Sequence, residues 1–232
     1  MLREIVLDTE TTGTDPSSDR IVEIGCVELL NHIPTGRTYH QYVNPQRAMS
    51  HGAFNVHGIS DAFLADKPPF ARIAPDFVDF VRDARLVIHN AVFDVGFLNA
   101  ELGRCGHPRF DPDRAACTLS LARRKHPGAG NSLDALCARY GIDNSRRTKH
   151  GALLDAEILA EVYIELIGGK QPDLGLAVTG AAARAANSSI VLPQRVRTPP
   201  PSRLTDAERD AHRVFVATLG ANALWRDYLK EA

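Results

Sequence analysis

The sequence predicts an α/β fold over residues 1–169, followed by a linker at 170–203 and a short helical tail at 204–232. Three observations carry that expectation. Short apolar or β-branched runs recur at residues 4–7, 20–30, 38–43 and 86–89. Segments with apolar residues at helical spacing alternate with them, at 75–82, 94–105, 132–140 and 152–167. After Gly169 the composition turns to Ala, Pro, Ser and Arg, and apolar periodicity stops.

Ile5, Val6 and Leu7 form the first strand, and residues 20–30 are a longer β-branched stretch. Residues 38–43 alternate polar with aromatic or β-branched side chains, and a loop is expected after them. The helix at 75–82 places Phe77, Phe80 and Val81 on one face. Strand 86–89 precedes a helix at 94–105, with Gly103 and Gly106 near its end. Ser132 caps a helix running to Tyr140, and Gly141 terminates it. The last helix of this half, 152–167, stops at Gly168-Gly169.

The linker carries Lys170, Arg184, Arg195, Arg197 and Arg203 against one acid, Asp173, with Pro199-Pro200-Pro201 near its end. Beyond it, Thr205-Asp206-Ala207-Glu208 is a capping box opening a helix that Gly220 ends. Leu224, Trp225, Tyr228 and Leu229 close the chain in a tail too short to fold alone, so its aromatics are expected to meet another surface.

Composition narrows the classes. Hydrophobic residues make up 44% and charged residues 24%, the balance of a globular protein. No apolar run approaches the roughly 18 residues of a membrane span, and acids interrupt the N-terminus where a signal peptide is apolar. A cytoplasmic protein is expected. Cys26, Cys105, Cys117 and Cys137 stand far apart, which argues against a disulfide framework or structural zinc. With a net charge of −1, any polynucleotide must be held by local features or by metal ions.

The strongest signals are carboxylates where folding favours apolar residues. Asp8 and Glu10 directly follow the first strand, and alternation points both to one face, where like charges repel unless a cation lies between them. Asp94 heads an apolar stripe through Phe97, Leu98 and Cys105; alternatively, it serves only its helix N-terminus. Asp155 shares a stripe with Ile158, Leu159, Val162 and Leu166, and no Lys or Arg lies on that stripe to pair with it. An unpaired buried carboxylate costs several kcal/mol, so a metal ion is the expected partner. On a continuous helix His150 and Asp155 would stand about 140° apart. They share a site only if His150 lies on the entering loop, where it would suit a general base. Four acids without cysteine describe a hard-cation site for Mg²⁺ or Mn²⁺, and two such ions suit phosphodiester hydrolysis.

Those same residues carry a resemblance. Asp8-Thr9-Glu10-Thr11-Thr12-Gly13, His89-Asn90-Ala91-Val92-Phe93-Asp94 and His150-Gly151-Ala152-Leu153-Leu154-Asp155 resemble, in order and spacing, the three motifs of the DEDDh 3′→5′ exonucleases. Within that superfamily, residues 131–140 and 150–163 are most similar to the epsilon proofreading subunits of bacterial DNA polymerase III. Phe54-Asn55-Val56-His57-Gly58-Ile59 matches their substrate loop. The resemblance implies an RNase H-like fold, a mixed sheet flanked by helices. It implies two divalent ions, with Asp8 bridging them, Glu10 and Asp155 completing one site and Asp94 supporting the other. It makes His150 the general base, places His57 on the terminal nucleotide of a single-stranded or frayed primer 3′ end, and lines the sugar with Thr11 and Thr12. Relatives often carry an acid where Gly52 stands, so that acid's contacts are not carried over.

The resemblance also implies partners. Residues 204–232, with Trp225 as anchor, would bind the polymerase alpha subunit, and a small theta-like subunit could bind the catalytic domain. Gln171, Leu174 and Leu176 form the Gln-x-x-Leu-x-Leu pattern of peptides that dock on sliding clamps. A DEDDh exoribonuclease or another DNA-repair exonuclease would use the same acids, and a catalytically idle subunit would not need them intact.

Overall fold

The computed structural model describes residues 2–168 and 205–220, which belong to two separate units. Gln171, Leu174, Leu176 and Trp225 lie outside the described residues.

In the first unit five strands form one sheet: β1 (Arg3–Thr11), β2 (Ile21–Leu30), β3 (Ile33–Tyr42), β4 (Arg85–Ile88) and β5 (Ala115–Cys117), in the order β3-β2-β1-β4-β5. The β1–β2 and β2–β3 pairs are antiparallel, and β1–β4 and β4–β5 are parallel. The helices are α1 (His51–His57), α2 (Asp61–Leu64), α3 (Phe70–Val81), α4 (Ala91–Arg104), α5 (Thr118–Lys125), α6 (Leu133–Tyr140) and α7 (Ala152–Leu166). This is the mixed sheet flanked by helices that the resemblance implied.

Strand alternation sorts the core into two layers. Ile5 and Leu7 pack with Phe70 and Phe77 of α3 and Phe97 and Leu98 of α4. Val6 points the other way, into a layer with Leu136 of α6 and Leu159 and Val162 of α7. The four cysteines are free thiols, as expected. Among the described residues no helix is long and apolar enough to cross a membrane.

Several boundaries differ from the expected ones. Asp8 and Glu10 do not follow β1 but lie within it, because pairing to β2 continues as far as Thr11↔Ile21. β3 begins at Ile33, after a turn in which Asn31 and His32 both take positive φ (49° and 67°). That geometry suits a tight hairpin, and an edge strand with exposed Ile33 shows no apolar alternation to reveal it. The expected loop after β3 holds α1 and α2, capped by Ser50 and Ser60 but too short for a periodic signal. α3 starts at Phe70, with Pro75 inside it. Both Pro75 and Ala71, whose carbonyl loses its helical donor, are exposed, so water can satisfy that oxygen. β5 and α5 carry no clear signal in the sequence, since β5 has only 3 residues and α5 ends in Arg123-Arg124-Lys125. Ser132, Gly141 and α7 take the parts expected of them.

In the second unit α8 (Asp206–Thr218) opens on the predicted box: Thr205 Oγ1 accepts from Glu208 N, and the Glu208 side chain accepts from Thr205 N.

Candidate active site

The site begins where the sheet opens. β1 pairs with β4 only through Glu4, Ile5 and Val6. Beyond Leu7 the two strands part, and the Thr9 N–H has no strand acceptor on that side. Asp94 supplies one: its Oδ1 accepts from Thr9 N at 3.1 Å and from Thr9 Oγ1 at 2.7 Å. Asp94 reaches the strand because only two residues separate β4 from α4, turned by Asn90 in the left-handed conformation (φ 67°, ψ 52°). Asn tolerates that region better than most side chains. Asp94 sits in the first turn of α4 and is buried.

Asp8 and Glu10 share the face of Val6 and look toward α7. Gly25 stands opposite Asp8 on β2. A Cβ there would lie 2.2 Å from the Ala152 carbonyl carbon, so only glycine lets the start of α7 close onto the sheet. The cap of that helix, Gly151, has no side chain to offer. Glu23, beside Glu10 in the register, does the capping instead: its Oε2 accepts from Ala152 N at 3.1 Å, while Oε1 meets His40 Nε2 at 2.7 Å. Asp155 lies in the first turn of α7 and is buried, so the inward orientation read from its stripe holds.

His150 lies on the loop before α7, as its angle to Asp155 required. Its Nδ1 is 3.3 Å from Asp155 Oδ2, and ligand atoms of Glu10, His150 and Asp155 all fall within 4.8 Å of one another. One expectation is overturned here. A basic residue does pair with Asp155: Arg147 Nε donates to Oδ1 at 2.6 Å and Nη2 to Oδ2 at 2.7 Å. The helical stripe could not show it, because Arg147 comes from the loop.

Crowding sets the proton affinities. Burial, then the charges of Asp94, Glu10 and Asp155, push the Asp8 carboxyl well above the usual range. Glu10 is pushed up to about 8 by burial, then by Asp155, Glu23 and Asp94. Burial also raises Asp94 to about 7, against the pull of its Thr9 hydrogen bonds. Asp155 goes the other way: burial would raise it, but the neighbouring His150 and Arg147 side chains outweigh that and hold it low. Glu10 Oε1 is buried without a hydrogen-bond partner among the described residues. An orphaned carboxylate oxygen among like charges, in a set of carboxylate donors, fits a hard divalent cation.

A cleft of about 560 Å³ lies over these acids, lined by Asp8, Glu10, Thr11, Asp94 and His150 with His57 and Val56 of α1, His89 and Phe93. The expected substrate loop is therefore the helix α1, closed by Gly58 at φ 73°. His57 is buried; Ile59 N donates to its Nδ1 at 3.0 Å, so the proton sits on Nε2, which donates to Thr11 O at 3.3 Å. Burial lowers its pKa and keeps it neutral. Both ring nitrogens are thus engaged by backbone, which leaves the face and carbon edge for a ligand. Thr12, expected beside the sugar, is fully buried: its Oγ1 donates to Asp19 at 3.0 Å and accepts from Arg20 N at 3.1 Å. It braces the β1–β2 connection instead of lining the cleft.

Residue patterns also left contributors without a role. Glu23 was legible as an acid inside an apolar strand, which holds Glu28 as well. His89, whose Nδ1 lies 3.0 Å from Thr118 Oγ1, opens the second motif. Arg147, in a loop of mixed polarity, carried no signal.

Comparison with known proteins agrees with this geometry. The sequence model of the exonuclease family matches residues 5–163. DNA polymerase III subunit epsilon of Escherichia coli is 45% identical over 239 residues, covering 97% of each chain. The Rickettsia felis protein of the same name is 53% identical over 174 residues, 73% of this chain and 76% of its own. Among solved structures, exonuclease X in complex with 5′ overhanging duplex DNA superposes with a TM-score of 0.55 at 29% identity, covering 71% of this chain and 90% of its own. The nuclease domain of 3′hExo, a DEDDh family member bound to rAMP, gives 0.62 at 18% identity, covering 71% and 91%, and so speaks for the fold alone. The chain belongs to the exonuclease family, and within it to the group of the DNA polymerase III epsilon subunits.

Proposed function

We propose that this protein hydrolyses nucleotides from the 3′ end of DNA and so proofreads for a replicative DNA polymerase III. The observation that carries the reading is the meeting of Asp8, Glu10, Asp94 and His150 at one cleft, with Asp155 against Glu10 and His150, in a chain nearly half identical to epsilon subunits along its length.

Asp8, Glu10 and Asp155 would hold one divalent ion, Mg²⁺ or Mn²⁺, and Asp8 with Asp94 a second. Bound there, the ions would supply electrophilic stabilisation of the attacking and leaving oxygens. The residues do the rest. His150, with 46% of its side chain exposed, takes the proton of the attacking water. The water oxygen bonds to phosphorus, the bond from phosphorus to the 3′ oxygen of the preceding nucleotide breaks with its electron pair on that oxygen, which takes a proton from solvent, and a nucleoside 5′-monophosphate leaves. Thr9 keeps Asp94 in place, Glu23 keeps α7 in place, and Thr11 and His57 flank the terminal nucleotide.

The alpha subunit is the expected partner of residues 204–232 through Trp225, the clamp that of Gln171, Leu174 and Leu176, and a theta-like subunit would bind the catalytic unit. A primer labelled at its 5′ end, mismatched or matched at its 3′ end, tests the activity with Mg²⁺ or with EDTA. Metal-dependent shortening, faster on the mismatch and on DNA than on RNA, is expected; equal cleavage in EDTA would refute it.

A further inference from the structure

Arg147 holds the least expected position near the site. Its side chain is only 8% exposed, and its guanidinium is divided between two acids. Nε and Nη2 grip both oxygens of buried Asp155, while Nη1 donates to both oxygens of Asp134 at 2.9 Å. Asp134, in the first turn of α6, is 59% exposed, against 3% for Asp155. Nη2 also lies 2.8 Å from His150 Nδ1, closer than Asp155 Oδ2 at 3.3 Å.

We propose that Arg147 is an internal cation that competes with divalent metal for Asp155, and that metal entry shifts the guanidinium outward onto Asp134. The proposal rests on the acids being a metal site. A forked guanidinium on both oxygens occupies the positions a metal would take at about 2.1 Å, and two cations cannot share one carboxylate without strong repulsion. The same pairing explains how a buried acid survives folding before metal arrives, since an uncompensated buried charge is strongly destabilising. Asp134 offers the displaced cation a berth already in contact, so the exchange needs rotation of one side chain and no unfolding of the loop.

The exchange also reaches His150. Nη2 lies 2.8 Å from Nδ1 and 3.3 Å from Nε2, so in the shorter contact it donates to Nδ1 and the ring proton sits on Nε2. Once the guanidinium withdraws, Nδ1–H can donate to Asp155 and the lone pair moves to Nε2. Arg147 is therefore a positioning residue, coupling metal occupancy to the tautomer of the base.

The test is metal binding by the full chain. Arg147→Gln, Arg147→Lys and Asp134→Asn are titrated with Mn²⁺ by calorimetry, and melting is followed in EDTA and in Mn²⁺. Arg147→Gln should bind Mn²⁺ on the order of tenfold more tightly than wild type, melt lower in EDTA, and gain more from metal. Arg147→Lys, which keeps the charge but loses the fork, should fall between, and it carries the test if Arg147→Gln does not fold. Asp134→Asn should bind metal more weakly. Equal or weaker binding by the folded Arg147 variants overturns the competition while leaving the metal site standing. Binding by no protein, wild type included, overturns the metal reading and the competition with it.

Discussion

The Glu23 carboxylate on β2 accepts the N–H of Ala152 at 3.1 Å, and through that bond an inner strand of the sheet fixes where α7 begins. Two catalytic candidates depend on that start, His150 just before it and Asp155 in its first turn. Glu23→Ala leaves the N–H buried without an acceptor. It should cost about 1–2 kcal/mol in urea unfolding and lower turnover through misplacement of Asp155. Unchanged stability and rate would reduce Glu23 to a bystander.

Asp8 sits where burial and three neighbouring acids oppose its charge. Asp8→Ala should abolish exonuclease activity and leave the metal-free protein as stable as wild type or more so. Calorimetric melting in EDTA, beside an activity assay, checks both halves. A variant that degrades DNA normally contradicts the metal mechanism.

Acidity should tune the metal-free protein in a definite direction. A carboxyl whose folded pKa is raised binds its proton more tightly in the folded state, so its contribution is full below the unfolded pKa and is lost as pH rises toward the folded one. For Glu10 that window runs from 4.5 to about 8, and for Asp94 from 3.8 to about 7. Melting temperature in EDTA should therefore fall across this range. Saturating Mg²⁺ should flatten the fall, since metal replaces the proton as counter-charge. A melting temperature that climbs with pH in EDTA would be the contrary result.

His150 is half exposed and lies outside any helix, so His150→Ala should cost little stability. Turnover should drop by roughly 10²–10⁴-fold, and metal affinity should stay within a few-fold of wild type. Normal turnover would make the imidazole a structural group.

Truncation after Gly169 should leave exonuclease activity on free single-stranded DNA intact and abolish co-purification with the polymerase alpha subunit. A linker and tail that act as a tether would raise the effective concentration at the primer end. Undiminished polymerase binding by the truncated chain would remove residues 204–232 from that role.

Local periodicity was enough to place Asp8 and Glu10 on one face, to turn Asp155 inward and to put His150 on a loop, because two- and 3.6-residue repeats dictate which side chains share a side. It was also enough for the boundaries at Ser132, Gly141 and Thr205, where capping chemistry is written within four residues. Partners brought together across the fold were beyond it. Thr9 meets Asp94, Glu23 meets Ala152 and Arg147 meets Asp155. Two of these contacts depend on strand register and on the parting of β1 from β4, the third on the path of a loop. The burial of Thr12 and the backbone bonds of His57 belong with them. Residue type could nominate Thr12 and His57 for the substrate, but what their polar atoms already touch is decided only when distant segments pack.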